Sequence, residues 1–347
     1  MRKRIGIMTS GGDCPGLNAA IRAAGKVALT MGYEVIGVRD GWEGLLFRRT
    51  EILDGIKLSG IIDRGGTILG ASRTSPFKVE NGPQRVLDAV QEMGMEALIV
   101  LGGDGTLTAT SKLCEMGLPV VAIPKTIDND VAETDYSIGF QTAVQIATDA
   151  LDRLRSTAAS HHRVVILEVM GRNAGWIATY AGMGTGADAI LIPEIPMDEA
   201  RIEKLCQMLK ERSSIGINYS IVVIAEGTKL GGEAIVVPGF DPERGTHTER
   251  LGGVGQVLAG IIERETHLGT RVSSLGYIQR GGTPVAYDRN LATVFGSKAM
   301  GLVKQGKFGQ MTALKGDKIV GVPLSKVANR IRTVDLAVYR VAEKFFG

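Results

Sequence analysis

Two short segments of the sequence combine glycine or hydroxyl residues with carboxylates, and both follow strand-like apolar runs. The first is Gly102-Gly103-Asp104-Gly105-Thr106. A glycine turn that opens a helix exposes unpaired N–H groups and the positive end of the helix dipole, which together bind phosphate. Asp104 would repel a phosphate directly, so its place in this turn indicates a Mg²⁺ that bridges to phosphate oxygens. The alternative is an ordinary strand-to-helix turn in which Asp104 caps the helix.

The second segment is Pro124-Lys125-Thr126-Ile127-Asp128-Asn129-Asp130, which contains a lysine, a hydroxyl group and two carboxylates two positions apart. A carboxylate near a metal-bound phosphate can accept the proton of an attacking sugar hydroxyl group. We therefore interpret this segment as the catalytic loop of a phosphoryl transfer. A loop closed by Asx turns is the alternative, but it does not explain Lys125 and Thr126.

Further glycine turns follow other strand-like runs. Ser10–Gly16 precedes a helix and is by itself equally typical of a structural turn, but beside Gly102–Thr106 it becomes a second wall for phosphates. Arg73 either reaches a nucleotide phosphate or is a solvated surface charge. Met170–Arg172 and Glu226–Gly227 are similar turns. Because ligands of open α/β sheets bind beyond the carboxyl ends of the strands, these turns predict one cleft floored by backbone N–H groups.

The composition excludes several classes of protein. The 347 residues include 47 glycines, about twice the roughly 7% of average usage, while 44% of residues are hydrophobic, which excludes disorder. A net charge of +3 without a basic block gives no indication of nucleic-acid binding. No apolar run is long enough to span a bilayer, and the start of the chain leads directly into a strand-like run with no signal peptide. Three cysteines without CxxC spacing fit a reducing compartment, so we expect a cytoplasmic protein.

The elements that must position these segments alternate between strands and amphipathic helices. The predicted strands, several of them apolar on consecutive residues, are Arg4–Thr9, Tyr33–Val38, Ala97–Leu101, Pro119–Ile123, Arg163–Val169, Ala189–Ile192, Ile221–Ala225 and Arg271–Gly276. The predicted helices are Leu17–Met31, Thr106–Met116, Phe140–Arg155, Ala200–Glu211, Val254–Thr266 and Asn290–Lys304. Such alternation predicts βαβ units around parallel sheets that are buried on both faces.

Two weaker patterns do not change this interpretation. Gly182–Ala187 has the glycine spacing of a dinucleotide-binding turn, but it follows a helical stretch, so we predict a turn that ends a helix. The pair His161-His162 has no third ligand nearby in the sequence that would indicate a metal site.

Together these segments resemble the 6-phosphofructokinase family. The resemblance covers nearly the whole chain, in the family's order, through five segments: Ile7–Asp13, Gly102–Thr106, Pro124–Asp130, Glu168–Arg172 and Gly276–Gly282. It implies two Rossmann-like three-layer α/β lobes with mainly parallel central sheets and an active-site cleft between them. We expect a larger lobe over 1–137 with the nucleotide and Mg²⁺ site, to which the chain returns at about 279–306. A smaller sugar-phosphate lobe over 138–278 and a C-terminal segment over 307–347 complete the expected division.

The resemblance also implies roles for individual residues. ATP and Mg²⁺ are the implied co-substrate and cofactor, with Asp104 as the metal ligand and a nucleotide site formed by Gly12, Arg73, Thr74, Gly103, Asp104, Gly105 and Thr106. Asp128 is the implied base for the O1 hydroxyl group of fructose 6-phosphate, with Thr126, Arg172 and Gly12 around the transferring phosphoryl group. The implied sugar-phosphate contacts are Thr126, Ile127, Asp128, Arg163, Met170, Gly171, Arg172, Glu226, Arg271, Tyr277, Ile278, Gln279 and Arg280. Some of these arginines come from a neighbouring subunit in bacterial members, which implies a homodimer or homotetramer with a shared sugar-phosphate site.

Two positions bear on the phosphoryl donor, and they disagree. Gly105 is the residue that ATP users of the family carry, whereas pyrophosphate users typically have aspartate there. Lys125 is what pyrophosphate users carry. We expect ATP, because glycine leaves room for the α-phosphate of a nucleotide while aspartate would fill that space and repel the phosphate. A pyrophosphate-dependent enzyme and a non-catalytic sensor of sugar phosphate or nucleotide are the alternatives.

The family's effector site is altered in this sequence. Arg22 and Arg155 match it, but Lys26 replaces an arginine, Gly55 stands where another arginine is expected and Asp188 replaces a glutamate; the lysines expected near 213–217 are absent. Tyr277 likewise replaces a histidine of the sugar site. We therefore expect weaker or different allostery and an altered sugar site.

Overall fold

The computed structural model describes residues 3–241 and 246–347. The helices of these residues are α1 (Leu17–Thr30), α2 (Trp42–Leu46), α3 (Gly82–Glu92), α4 (Asp104–Glu115), α5 (Phe140–His161), α6 (Trp176–Thr185), α7 (Glu199–Ser214), α8 (Val254–Thr266), α9 (Ala286–Lys304) and α10 (Leu336–Glu343). The strands are β1 (Arg4–Thr9), β2 (Glu34–Val38), β3 (Thr50–Ile52), β4 (Met95–Gly102), β5 (Val120–Pro124), β6 (Val164–Val169), β7 (Ala189–Leu191), β8 (Ser220–Ala225), β9 (Lys229–Leu230), β10 (Glu233–Ala234), β11 (Val236–Asp241), β12 (Thr246–Leu251), β13 (Thr270–Ser274), β14 (Gln310–Lys315) and β15 (Lys318–Pro323).

The chain divides into two compact units. Unit 1 contains the described residues up to Thr142 together with Arg280–Arg332, and unit 2 contains Ala143–Gln279 together with Thr333–Gly347. Residues 307–347, grouped as one segment from the sequence, are therefore shared between the units: β14 and β15 join the sheet of unit 1, whereas α10 belongs to unit 2.

Unit 1 is built on a seven-stranded sheet with the order β15-β14-β5-β4-β1-β2-β3. The five strands from β14 to β2 are parallel neighbours, and the antiparallel strands β3 and β15 lie at the two edges. All residues of β5 and all but Arg4 of β1 are buried, as expected for strands that helices cover on both faces.

Unit 2 contains a smaller sheet with the order β13-β6-β8-β7, and all four strands are parallel. Its core includes Val164, Ile166, Val222 and Ile224 from the sheet, which pack with Leu258 of α8. The mixed α/β fold with mainly parallel sheets confirms the predicted fold class.

The predicted elements are all present, with ends that differ by up to six residues, the largest difference being at the end of α5, which was predicted to stop at Arg155. β1 and α8 have the predicted bounds, and the turn at Gly182–Ala187 does end a helix, because α6 stops at Thr185 and Gly186 adopts φ 62°. Among the described residues, no helix has both the length and the apolar content that crossing a bilayer requires.

Candidate active site

Three neighbouring strands of unit 1 place the predicted phosphate turns and the predicted catalytic loop together at their carboxyl ends. β1, β4 and β5 are parallel neighbours, and each is followed directly by one of these segments. Backbone hydrogen bonds connect them: Ser10 N–H donates to Leu101 O and Lys125 N–H donates to Gly102 O, both at 3.0 Å. From β1 the chain continues to β2 on one side and later to β4 on the other, the kind of switch point where open α/β sheets bind ligands.

The turn after β4 has an open face. The N-cap of α4 is Gly103, which has no side chain, and Asp104 is the first helical residue, so the alternative of Asp104 as the cap is wrong. A Cβ atom on Gly102 would lie 2.3 Å from the Thr106 methyl carbon, whereas a Cβ atom on Gly105 meets no atom within 4 Å. Burial raises the pKa of Asp104 above its ordinary value. The turn thus offers N–H groups, a helix N-terminus and free space beside Gly105.

Two cationic side chains hold the loop after β1. Lys125 is only 3% exposed, and its ammonium group donates to Gly12 O. Arg280 Nη1 donates to Asp13 O at 3.2 Å, and a Cβ atom on Gly12 would lie 2.4 Å from that nitrogen. Arg280, predicted as a contact of the sugar phosphate, thus lies against the Gly12 loop in unit 1. Burial lowers the pKa of Lys125 to about 8.

Two of the predicted nucleotide contacts, Arg73 and Thr74, come directly after Ser72, which is bonded to the same loop. Gly11, with φ 83°, donates its N–H to Ser72 O at 2.9 Å, and Arg73 comes next in the chain with an exposed side chain. The Thr74 hydroxyl group donates to Glu43 Oε2 at 3.3 Å. Arg73 therefore adjoins a residue that is bonded to the loop, and its side chain is accessible to a ligand.

The loop after β5 places its carboxylates in different environments. Asp128 is half-buried and its N–H donates to Thr126 Oγ1 at 3.2 Å, while Asp130 is only 9% exposed. Burial, together with the nearby charges of Asp128 and Asp104, raises the pKa of Asp130 to about 7. Three carboxylates of unit 1 therefore interact electrostatically, and Asp128 is the more accessible of the two in the loop.

Asn129 shapes this loop, although sequence reasoning assigned it no role. Its backbone is left-handed (φ 52°), and its buried side chain accepts from Ser137 N–H at 2.9 Å and donates to Asp135 O at 3.2 Å. Ser137 Oγ donates in turn to Thr126 O at 2.8 Å. Ile127, a predicted substrate contact, has a buried side chain (1% exposed). The signal for Asn129 in the sequence is its tolerance of left-handed backbone between two aspartates.

The residues of unit 1 fit Mg²⁺ only in a shared site. Among the described residues, no group of three His, Cys, Asp or Glu side chains is arranged to hold a metal ion by itself. Asp104 offers a hard carboxylate oxygen at the predicted phosphate turn. It would therefore hold Mg²⁺ jointly with phosphate oxygens of a donor and with water, the ligands that this ion takes in phosphoryl transfer.

Unit 2 has its own pair of turns at the carboxyl edge of its sheet. Met170–Arg172 follows β6 and Glu226 follows the neighbouring β8, and Glu226 N–H donates to Val169 O at 2.9 Å. A Cβ atom on Gly227 would lie 2.0 Å from Arg172 O, so the two turns are in backbone contact. Unit 2 therefore brings Met170, Arg172 and Glu226 together.

The segment Gly276–Arg280 divides its residues between the interior and the surface. Gln279 is fully buried, with Oε1 accepting from Met170 N–H at 2.7 Å and Nε2 donating to Ala143 O at 3.4 Å. Its side chain thus positions the Met170 turn, whereas the sequence predicted a substrate contact. Tyr277 and Ile278 are 64% and 65% exposed.

Two predicted arginines lie at the opposite ends of the strands of this sheet, where those strands begin. Arg163 immediately precedes β6, and Arg271, near the start of the neighbouring β13, donates to Glu263 Oε1 at 3.4 Å. β6 has six residues, which separates its two ends by roughly 15–20 Å at about 3.3 Å per residue. Within unit 2, Arg163 and Arg271 are therefore not brought together with Met170, Arg172 and Glu226.

Two predicted effector residues in unit 2 have partners within the fold. The guanidinium group of Arg155 donates to the carbonyl groups of Thr185 and Gly186. Asp188 forms an ion pair with Arg212 at 2.8 Å, with side-chain exposures of 13% and 11%. The carboxylate that replaces a glutamate thus serves a nearly buried ion pair.

Comparisons with known proteins agree on one family. The family model described as Phosphofructokinase matches residues 4–303. Two proteins of Streptomyces coelicolor are similar over their full length. "ATP-dependent 6-phosphofructokinase 3" is 49% identical over 98% of this chain and 99% of that protein. "Pyrophosphate--fructose 6-phosphate 1-phosphotransferase" is 47% identical over 99% of this chain and 100% of that protein.

A solved structure shares the fold. In the crystal structure of Pichia pastoris phosphofructokinase in the T-state, the matching chain has 30% sequence identity to this chain, and the TM-score is 0.83. The match covers 99% of this chain but only 36% of that chain, so this chain spans about a third of the yeast protein.

Proposed function

The chain belongs to the phosphofructokinase family, and we propose that it transfers the γ-phosphoryl group of ATP to the O1 hydroxyl group of fructose 6-phosphate. The products are fructose 1,6-bisphosphate and ADP. The observation that carries this proposal is the joining of two glycine turns and an aspartate loop at the carboxyl ends of β1, β4 and β5. This arrangement provides phosphate-binding N–H groups and a carboxylate base at one sheet edge.

Unit 1 supplies the groups for donor binding and proton transfer. Asp128 accepts the proton of the O1 hydroxyl group as the O1–P bond forms and the bond from the γ-phosphorus to the bridging oxygen of ADP breaks. The Thr126 hydroxyl group donates a hydrogen bond to the transferring phosphoryl group. N–H groups of the Gly12 and Gly103–Thr106 turns bind the donor's phosphates. Asp104 would hold Mg²⁺ together with the donor, and the ion would supply positive charge that neutralises the phosphates.

Unit 2 supplies groups for the sugar phosphate. Met170 and Glu226 lie on adjacent turns, so we assign them to contacts with the sugar. Arg172 is exposed in the same turn, and we assign its guanidinium group to the charge of the transferring phosphoryl group. Gln279 fixes the turn that carries Met170 and Arg172.

Two details favour ATP as the donor. The space beside Gly105 is open, which leaves room for a nucleotide α-phosphate. The buried Lys125 ammonium group donates to Gly12 O and so holds the loop after β1. It does not occupy the space beside Gly105. Lysine at position 125 is therefore compatible with ATP.

Pyrophosphate is the second candidate donor, because Lys125 is the residue of pyrophosphate users and similar proteins carry both names. Separate coupled assays with ATP and with pyrophosphate, each with Mg²⁺ and fructose 6-phosphate, distinguish the two. We expect kcat/KM to be at least about tenfold higher with ATP, roughly 1.4 kcal/mol of transition-state stabilisation. Turnover with pyrophosphate alone would reverse the donor assignment, and binding of the sugar phosphate without turnover by either donor would leave only a sensor.

We also propose that a second copy of the chain completes the sugar-phosphate site. Arg163 and Arg271 lie at the amino edge of the unit 2 sheet, away from Met170 and Glu226 of the same unit. Guanidinium groups are well suited to phosphate, so a neighbouring copy would use these two for its own substrate. This arrangement supports our proposal of a homodimer or homotetramer.

A further inference from the structure

The C-terminal part of unit 1 contacts the loop that carries Asp128. Residues 304–332 lie beyond the part of the chain that the family model matches, and they end in an antiparallel bridge between Ile331 and Val131. The next residue, Arg332, donates its backbone N–H to Asp130 O at 2.8 Å and its Nη1 to Asn129 O at 3.3 Å. One residue thus bonds two consecutive carbonyl groups that directly follow Asp128.

These two carbonyl groups belong to buried residues of the loop. Asn129 and Asp130 are 1% and 9% exposed, so their carbonyl groups need donors from the protein. The left-handed backbone at Asn129 turns the chain, and the Asn129 amide group fixes one side of that turn through Asp135 and Ser137. Arg332 supplies donors to the carbonyl groups themselves.

We propose that Arg332 is a positioning residue for the catalytic step, holding the Asn129–Asp130 peptide so that the Asp128 carboxylate keeps its productive geometry. Arg332 itself touches no reacting atom in this proposal. An error of about 1 Å in the position of a catalytic group can cost roughly a hundredfold in rate, so the loss of one such bond is measurable. The kinetic part of this inference rests on the proposed function, since it assumes Asp128 as the base.

The test compares three variants of the full chain. Arg332→Met keeps the hydrocarbon stem but removes the guanidinium donors, Arg332→Lys restores a cationic donor, and Arg330→Met is the control, because Arg330 is exposed two residues earlier. We expect kcat of Arg332→Met to fall by about 10- to 100-fold while both KM values change by less than about threefold. Arg332→Lys should recover most of the loss, and Arg330→Met should match the parent. An Arg332→Met kcat within about twofold of the parent, a loss confined to KM, or no recovery with lysine would each overturn the proposal.

A second measurement is independent of activity. In hydrogen–deuterium exchange, the amides of residues 126–137 should exchange faster in Arg332→Met than in the parent, while those of the unit 2 sheet stay unchanged. Equal exchange over residues 126–137 would overturn the positioning role even if the parent used another substrate. A parent that shows no phosphofructokinase activity but faster loop exchange in the variant would contradict the proposed function and support the contact.

Discussion

The guanidinium group of Arg280 lies against Gly12, such that a methyl group on Gly12 would be 2.4 Å from Arg280 Nη1. Arg280 Nη1 also donates to Asp13 O, so the arginine and the glycine loop have a fixed relationship in unit 1. Only glycine at position 12 allows this approach.

The substitution Gly12→Ala should therefore displace Arg280 and lower kcat by roughly tenfold or more. The obstructed atom is the end of a flexible side chain, so we expect the melting temperature to change by only a few degrees. Steady-state kinetics and thermal unfolding measure both effects. Gly301→Ala is the control, because its Cβ atom meets nothing within 4 Å in α9 and alanine favours a helix. Full activity of Gly12→Ala would contradict this relationship.

The sequence was sufficient to predict the segments whose chemistry is local. Glycine turns and carboxylates two positions apart are visible within a few residues, and buried parallel strands appear as continuous apolar runs. The turn that ends helix α6 was predicted but the bounds of the helix were not, because Trp176–Thr185 is apolar on nearly every side and lacks an amphipathic period. The short edge strand β15 was also missed, since its partial burial gives no such run.

The supporting contacts could not be predicted, because they join residues far apart in the chain. Gln279 bonds Met170, and Arg332 bonds Asn129 and Asp130, across more than a hundred residues in each case. Only the topology decides which distant residues meet at a loop. Gln279 is buried beside the exposed Tyr277 and Ile278, and this difference also depends on contacts that form only in folded unit 2.

Removal of the proposed base should affect the chemical step. In Asp128→Asn, kcat should fall by roughly 10²- to 10⁴-fold with little change in KM for fructose 6-phosphate, because only proton acceptance is lost. Initial rates over a range of sugar concentrations separate kcat from KM. The exposed Asp317→Asn is the matched control. An increase in KM without a decrease in kcat would exclude Asp128 as the base.

The open space beside Gly105 makes the donor choice testable by substitution. Gly105→Asp should fold normally, since a Cβ atom there meets nothing within 4 Å, but its carboxylate would occupy and repel the α-phosphate region. We expect kcat/KM with ATP to fall by about a hundredfold or more, roughly 2.7 kcal/mol, and activity with pyrophosphate to be retained or gained. Gly105→Ala controls for volume without charge. Undiminished ATP activity in Gly105→Asp would place the nucleotide elsewhere.

Asp130 should make the free energy of unfolding depend on pH. Its pKa rises from 3.8 to about 7 in the folded protein, chiefly through burial, so the folded state retains a proton that the unfolded state releases. Stability should therefore fall as the pH rises from about 4 to 7, by at most about 1.4 kcal/mol for each pKa unit of the difference. In Asp130→Asn this part of the dependence should disappear, whereas Asp317→Asn should follow the parent. Urea unfolding across this pH range, without nucleotide or metal, measures the free energy of unfolding. Parallel curves of this free energy against pH for Asp130→Asn and the parent would contradict the prediction.

Mixing experiments can test whether two copies share a sugar-phosphate site. A chain with Arg163→Ala and Arg271→Ala should lose affinity for fructose 6-phosphate, and a chain with Asp128→Asn should lose kcat, so each homo-oligomer should be nearly inactive. If a neighbouring copy supplies the two arginines, co-refolded mixtures contain sites that combine an intact Asp128 with intact arginines. Random pairing of equal amounts in a dimer then predicts activity of about a quarter of the parent value per site, since each defect is inherited from a different chain. If the mixture stayed as inactive as its two components, the arginines would serve their own chain. A chain that carries all three substitutions, mixed with the parent, controls for dilution.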